Sequence, residues 1–229
     1  MIARLKNTLP LLARQTGTYA FGGIVAAALS FFALPVFTRI LTPEDFGIWA
    51  VVQVCLSILM PLVGPAGMPN SLLVKRVKMK AATFKDYLGT ALVSSTGFFI
   101  LASLLIFAAS PLIKQAINFP PVWLYLMAVL AYIQILHMVA LVLYQADGHV
   151  WRYNLLRVLQ AVALVGPAIG FIIWLDMGWE GRLVGYFGGM VLLVPAILYV
   201  IFKSYGAQLC FKLKHFKDNM NYSLPLIPH

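Results

Sequence analysis

Three ionisable side chains fall within or at the edge of long uncharged stretches of this chain: Arg39, His137 and Arg157. The amides Gln53, Gln134, Gln145 and Gln160 lie in the same stretches, and Gln134 and His137 sit three residues apart, on one face of a helix. No carboxylate accompanies them. The seven acids are Glu44, Asp45, Asp86, Asp147, Asp176, Glu180 and Asp218, and all fall in or beside short polar connections. A buried set whose fixed charges are all positive suits an anionic ligand, because attraction is strong where water is scarce. Guanidinium groups match phosphate geometry with two donors at once. Arg39, His137, Arg157, Gln53 and Gln134 are therefore the candidate cavity contacts for such a ligand. Competing local roles exist for each. Arg39 could snorkel to headgroups or pair with Glu44 or Asp45, Arg157 could snorkel at the other side, and His137 could bond a carbonyl.

Other chemistries lack their residues. There is no Gly-rich phosphate loop ending in Lys-Ser or Lys-Thr, no paired-histidine zinc signature and no serine elbow. No catalytic residue, cofactor or metal is expected. Cys55 and Cys210 stand far apart, without clustered histidines or acids, which supports neither a disulfide framework nor a metal site.

The elements that carry these residues are membrane helices. Hydrophobic residues make up 62% of the chain, charged residues 10%, and mean hydropathy is +0.89. A soluble domain carries about a quarter charged residues. The uncharged windows run over 15–38, 46–74, 87–113, 115–146, 158–175 and 183–202. About 20 apolar residues in a helix span the hydrocarbon core. The apolar residues come in continuous blocks rather than strict alternation, so the spans are helices and not barrel strands. The expected fold is all-α, a bundle of six transmembrane helices over roughly 16–39, 46–69, 88–112, 121–144, 155–176 and 182–203. It forms one unit over 1–221, and 222–229 reads as the start of a seventh span.

The net charge of +10 does not indicate nucleic acid, because the basic residues cluster in short connections. Fourteen of the seventeen lysines and arginines fall on one side of the alternating spans, leaving only Arg39, Lys114 and Arg182 on the other. By the positive-inside rule the N-terminus is cytoplasmic. Trp49, Trp123, Trp151 and Trp179 fall near the expected interfaces. The basic segment from Ser71 to Tyr87 is expected to lie along the cytoplasmic surface against anionic lipids. Pro61, Pro65 and Pro69 should break or kink the end of the second span. Gly181, Gly185 and Gly189, and the pair Gly166 and Gly170, point to close helix packing.

Specific motifs add a resemblance. The stretch Pro35-x-x-Thr38-Arg39-Ile-Leu-Thr-Pro-Glu-Asp-Phe-Gly47 resembles the first helical hairpin of the O-antigen and polysaccharide flippases. These belong to the multidrug/oligosaccharidyl-lipid/polysaccharide exporter superfamily. Asn70-Ser-Leu-Leu-Val-Lys-Arg76 and Gly178-Trp-Glu-Gly-Arg182 are similar to further segments of that family. Tyr222-Ser-Leu-Pro-Leu-Ile-Pro-His229 resembles the opening of its second half. The resemblance implies a two-lobed transporter around a cationic cavity in a bacterial inner membrane. Such a protein flips undecaprenyl-diphosphate-linked oligosaccharide for O-antigen, lipopolysaccharide or other surface polysaccharide assembly. Only one lobe is present here. The second would be another chain or a second copy, alongside other polysaccharide-assembly proteins, or this is a truncated product. Two alternatives are a cation-coupled drug exporter of the same superfamily, which would need a membrane acid, and a membrane subunit of polysaccharide synthesis, which would favour large outer loops.

Overall fold

The computed structural model describes residues 2–64, 67–117, 121–175 and 177–223, with side chains described from Tyr19 onward and not for 112–121. The helices are α1 (Ile2–Ile40), α2 (Pro43–Val63), α3 (Met68–Lys78), α4 (Ala81–Ile117), α5 (Pro121–Ala146), α6 (Val150–Leu175), α7 (Trp179–Leu198) and α8 (Leu213–Ser223). Among the described residues there is no strand. Among the described residues, six helices are long and apolar enough to cross a membrane: Tyr19–Ile40, Pro43–Val63, Ala81–Pro111, Val122–Ala146, Val150–Leu175 and Trp179–Ser204. The protein is an all-α, six-span membrane bundle. The stretch 224–229, where the seventh span was expected to begin, lies outside the described residues, while Tyr222 and Ser223 belong to α8.

The central helix is α5, which packs on α2, α3, α4, α6 and α7. Its residues Met127, Leu130, Ala131, Val139, Ala140 and Leu143 are fully buried. The outer helices instead expose Phe31, Phe32, Leu104, Phe107, Trp174 and Leu192, as side chains facing hydrocarbon do. In lipid, apolar burial gives helices little reason to associate, so close packing of small residues must hold them. The seam between α6 and α7 shows this. A Cβ on Gly185 would stand 2.3 Å from the Ala168 Cα, and one on Gly189 would stand 1.5 Å from the Ala163 carbonyl oxygen. Gly166, expected to share such a role, faces open space.

Helix ends follow local chemistry. Thr42 caps α2: its hydroxyl accepts from the Asp45 N–H at 3.2 Å, and the Asp45 Oδ2 accepts from the Thr42 N–H at 3.0 Å, a reciprocal capping box after which Pro43 begins the helix. At its far end α2 contains Pro61 and stops at Val63, and a separate helix restarts at Met68. The expected second span of 46–69 is therefore shorter at that end and longer at its start. Pro65 lies outside the described residues.

The basic segment packs one face on the bundle and leaves Val77 and Lys78 exposed on the other. Met68, Ser71 and Leu72 of α3 are buried, and α3 lies against α5 and α8. Ser71 donates to Asn219 of α8 at 2.7 Å, Lys75 pairs with Asp218, and Arg76 grips Asp147 through two bonds of 2.8 and 3.1 Å. The acids of the connections thus anchor the basic end of the bundle. At that end α7 runs into a π-helical turn, Tyr199–Ser204, which delivers the Tyr205 hydroxyl to the Leu143 carbonyl at 2.7 Å.

Candidate functional site

At the opposite end of the bundle, α1, α2, α6 and α7 surround a cavity of about 170 Å³. Its charged group is Arg182, within the first turn of α7. Phe37 of α1 and Trp49 of α2 flank the guanidinium with ring centroids 4.2 and 4.3 Å from its central carbon, and the Phe46 ring is 5.7 Å away. Aromatic faces are electronegative, so they stabilise a cation without neutralising it. Nη1 of Arg182 is buried and has no hydrogen-bond partner among the described residues. No acid forms a salt bridge with Arg182 among those residues. An arginine held by rings, with a donor left over, is ready for a small anion or a carbonyl oxygen.

One acid at this end, Asp45, is committed to backbone donors. Asp45 turns one oxygen to Thr42 and the other to the Trp179 N–H, at 3.1 Å. It therefore ties the start of α7 to the start of α2 and fixes the register that brings Arg182 beside Trp49. Trp123 meets Trp179 edge to face at 5.2 Å, joining the starts of α5 and α7. Trp49, expected to belong to that belt, is instead buried as a wall of the cavity.

A polar path leads from the cavity into the bundle. Tyr186, one turn beyond Arg182, lines the cavity and meets Trp49 edge to face at 5.8 Å. Its hydroxyl accepts a 2.9 Å hydrogen bond from Nε2 of Gln134 on α5. Gln53 lines the cavity directly. The structure thus gathers two of the five residues singled out in the sequence, Gln53 and, through Tyr186, Gln134.

The other three stand elsewhere. Arg39 is exposed at the end of α1, and it forms no ion pair with Glu44 or Asp45. His137 is fully buried on α5 with the Leu156 backbone beside its ring, and neither ring nitrogen has another hydrogen-bond partner among the described residues. Arg157 sits half-buried on α6, close to the backbone of Gly23 on α1, and donates to the Tyr153 hydroxyl at 2.9 Å. Its charge acts on the His137 ring. Among the described residues no group of three metal-ligating side chains occurs.

The family model for polysaccharide biosynthesis proteins matches residues 12–229. The chain belongs to the polysaccharide biosynthesis protein family. A comparison with curated proteins finds no match. Among solved structures, a transporter of the MOP superfamily from Pyrococcus furiosus is similar, with a TM-score of 0.68 and 15% identity. The match covers 92% of this chain and 51% of the transporter, so this family member spans about half the length of the solved protein. At that identity the likeness concerns the fold. In the polysaccharide biosynthesis protein, Arg182 is the residue that charge counting alone misplaces, as a loop cation of the Gly178–Arg182 motif. Arg182 and Tyr186, four apart and so on one helix face, are the local sign of its inward position.

Proposed function

We propose that this chain is one lobe of a flippase that moves undecaprenyl-diphosphate-linked oligosaccharide units for O-antigen or related surface polysaccharides across a bacterial inner membrane. Its N-terminus and its basic end face the cytoplasm in this reading, as the distribution of lysine and arginine favours. The observation that carries the proposal is the Arg182 guanidinium, held between Phe37 and Trp49 with Nη1 unpaired in a cavity among four membrane helices. A phosphate or acidic sugar oxygen would complete its hydrogen bonding, and rings that already hold the cation leave little reorganisation for binding.

Arg39, His137, Arg157, Gln53 and Gln134 are proposed as further contacts along the path. Arg39 presents an exposed guanidinium at the same end as Arg182, available to a ligand or to a second lobe. Alternating access needs two units that rock against each other. The second lobe is therefore further polypeptide or another copy of this one. A cation-driven drug exporter is less well supported, because Asp45, a carboxylate of this end, is committed to two helix N-termini.

The experiment is complementation of a strain whose surface polysaccharide depends on this locus. Arg182→Ala should abolish the polysaccharide at unchanged protein level, and Arg182→Lys should restore only part, since an ammonium lacks the planar donor fork. Normal polysaccharide from the Ala variant would remove Arg182 from the mechanism.

A further inference from the structure

Two cavities abut at the basic end of the bundle. One, of about 270 Å³, is polar, with Arg76 of α3, Lys85 of α4, Asp147 from the α5–α6 turn and Arg152 of α6 in its walls. The other, of about 400 Å³, is a groove walled by Leu155, Leu156 and Leu159 of α6 against Ala196 of α7 and Tyr199 and Val200 of the π-helical turn. Tyr144, Arg152 and Ser204 line both, so a polar chamber passes directly into an apolar groove. The groove opens outward, where Leu155, Leu159 and Tyr199 are 49%, 42% and 61% exposed. The π-helical turn, by carrying Ser204 and Tyr205 into the chamber, forms part of its wall.

The charges in the chamber do not balance. Arg76 and Asp147 satisfy each other through two hydrogen bonds. Lys85 and Arg152 have no ion-pair partner among the described residues, which leaves two cations facing the chamber. A free anion would need only the chamber, and a neutral apolar molecule would need only the groove. A molecule with an anionic head and a hydrocarbon tail uses both.

We propose that this composite site binds an anionic phospholipid of the adjacent leaflet, with its phosphodiester held by Lys85 and Arg152 and an acyl chain in the groove beside Leu155 and Leu159. In the orientation proposed above that leaflet is the cytoplasmic one, where anionic lipids gather. At about 270 Å³, the chamber has room for a glycerophosphate head. The site would hold α6 and α7 to α3 and α4 by way of a lipid rather than by protein contact.

The test is equilibrium binding to the purified protein of phosphatidylglycerol, of phosphatidylcholine with the same acyl chains, and of glycerophosphoglycerol, the head without chains. Phosphatidylglycerol should bind at least tenfold tighter than either. A basic residue near an anionic surface contributes about fivefold, so Lys85→Ala with Arg152→Ala should weaken phosphatidylglycerol binding roughly thirtyfold. Replacing the exposed Lys203 and Lys214, which line neither cavity, should not. Leu159→Trp, which fills the groove, should lower phosphatidylglycerol binding and leave the weak binding of the head alone unchanged. Asp147→Asn should tighten binding about fivefold, a gain that misfolding cannot produce. Equal affinity for the two lipids, no loss in the double variant, or a head that binds as tightly as the whole lipid would each overturn the proposal.

Discussion

The Asp45 carboxylate and the Trp179 amide join two helices that are far apart in sequence, with Oδ1 accepting from the backbone N–H at 3.1 Å. The same side chain closes the capping box of α2. One acid therefore satisfies orphan donors at two helix N-termini, where the helix dipoles also favour its negative charge. It sets the distance between Trp49 on α2 and Arg182 on α7, and so the width of the aromatic clamp.

Loss of this acid should be felt as stability. A capping side chain contributes about 0.5–2 kcal/mol at one helix, so Asp45→Ala should cost about 1–3 kcal/mol across two. Glu44→Ala, at an exposed neighbour with no hydrogen bond recorded among the described residues, should stay within about 0.5 kcal/mol of the parent. Thermal unfolding in detergent distinguishes them, and equal transition temperatures would show that the junction carries no load.

The α6–α7 seam predicts a steep dependence on side-chain size. Gly189→Ala would place a methyl within the Ala163 carbonyl, and backbone cannot move aside cheaply, so about 1–3 kcal/mol or more should be lost. Gly188→Ala, where a Cβ meets nothing within 4 Å, should be tolerated and should gain slightly from better helix propensity. The yield of folded protein after membrane extraction reports both. A tolerated Gly189→Ala would mean that the helices stand farther apart.

Acid should weaken the basic end. Burial opposes ionisation of Asp147, but hydrogen bonds from Arg76 and Tyr205 together with the Arg76 charge outweigh it and hold the carboxyl below its ordinary value, while the bond to Asp147 raises Arg76. The folded pKa of Asp147 is the lowered one, so the pair's contribution is fully present above the unfolded value of about 3.9 and disappears as pH falls through the folded value. Asp147→Asn should cost about 1 kcal/mol near neutral pH, and the difference from the parent should vanish in strong acid. Stability measured against pH checks this. A difference that persists unchanged below the folded pKa would contradict it.

The bundle was legible because its signal is local. Each span is an uncharged window long enough to cross a bilayer, and nothing tertiary is needed to see it. The hidden parts depend on contacts between distant residues. Ser71 and Asn219, 148 positions apart, dock one face of the basic segment on α8, a contact that no local pattern announces. Arg182 reads as a loop charge until Phe37, Phe46 and Trp49 arrive from two other helices to hold it. Gln53 and Gln134 are visible as rare polar groups in apolar runs, but nothing in the sequence ties Gln134 to Tyr186, 52 positions away, through which it reaches the cavity. Arg39 drew notice through its motif, and the structure places it on an exposed face outside the cavity.

The exposed position of Arg39 separates stability from function. Arg39→Ala removes no hydrogen bond or ion pair recorded among the described residues, so its unfolding temperature should match the parent's. Any fall in surface polysaccharide would then mark a ligand or lobe contact. A large loss of stability would instead reveal a structural role.

The anion-binding role proposed for Arg182 is tested most directly by equilibrium binding of undecaprenyl diphosphate to the purified protein and its Arg182→Gln variant. A hydrogen bond to a charged group contributes about 1.5–3 kcal/mol, so the variant should bind about tenfold to a hundredfold more weakly at an unchanged unfolding temperature. Equal affinity in the two proteins would contradict the account.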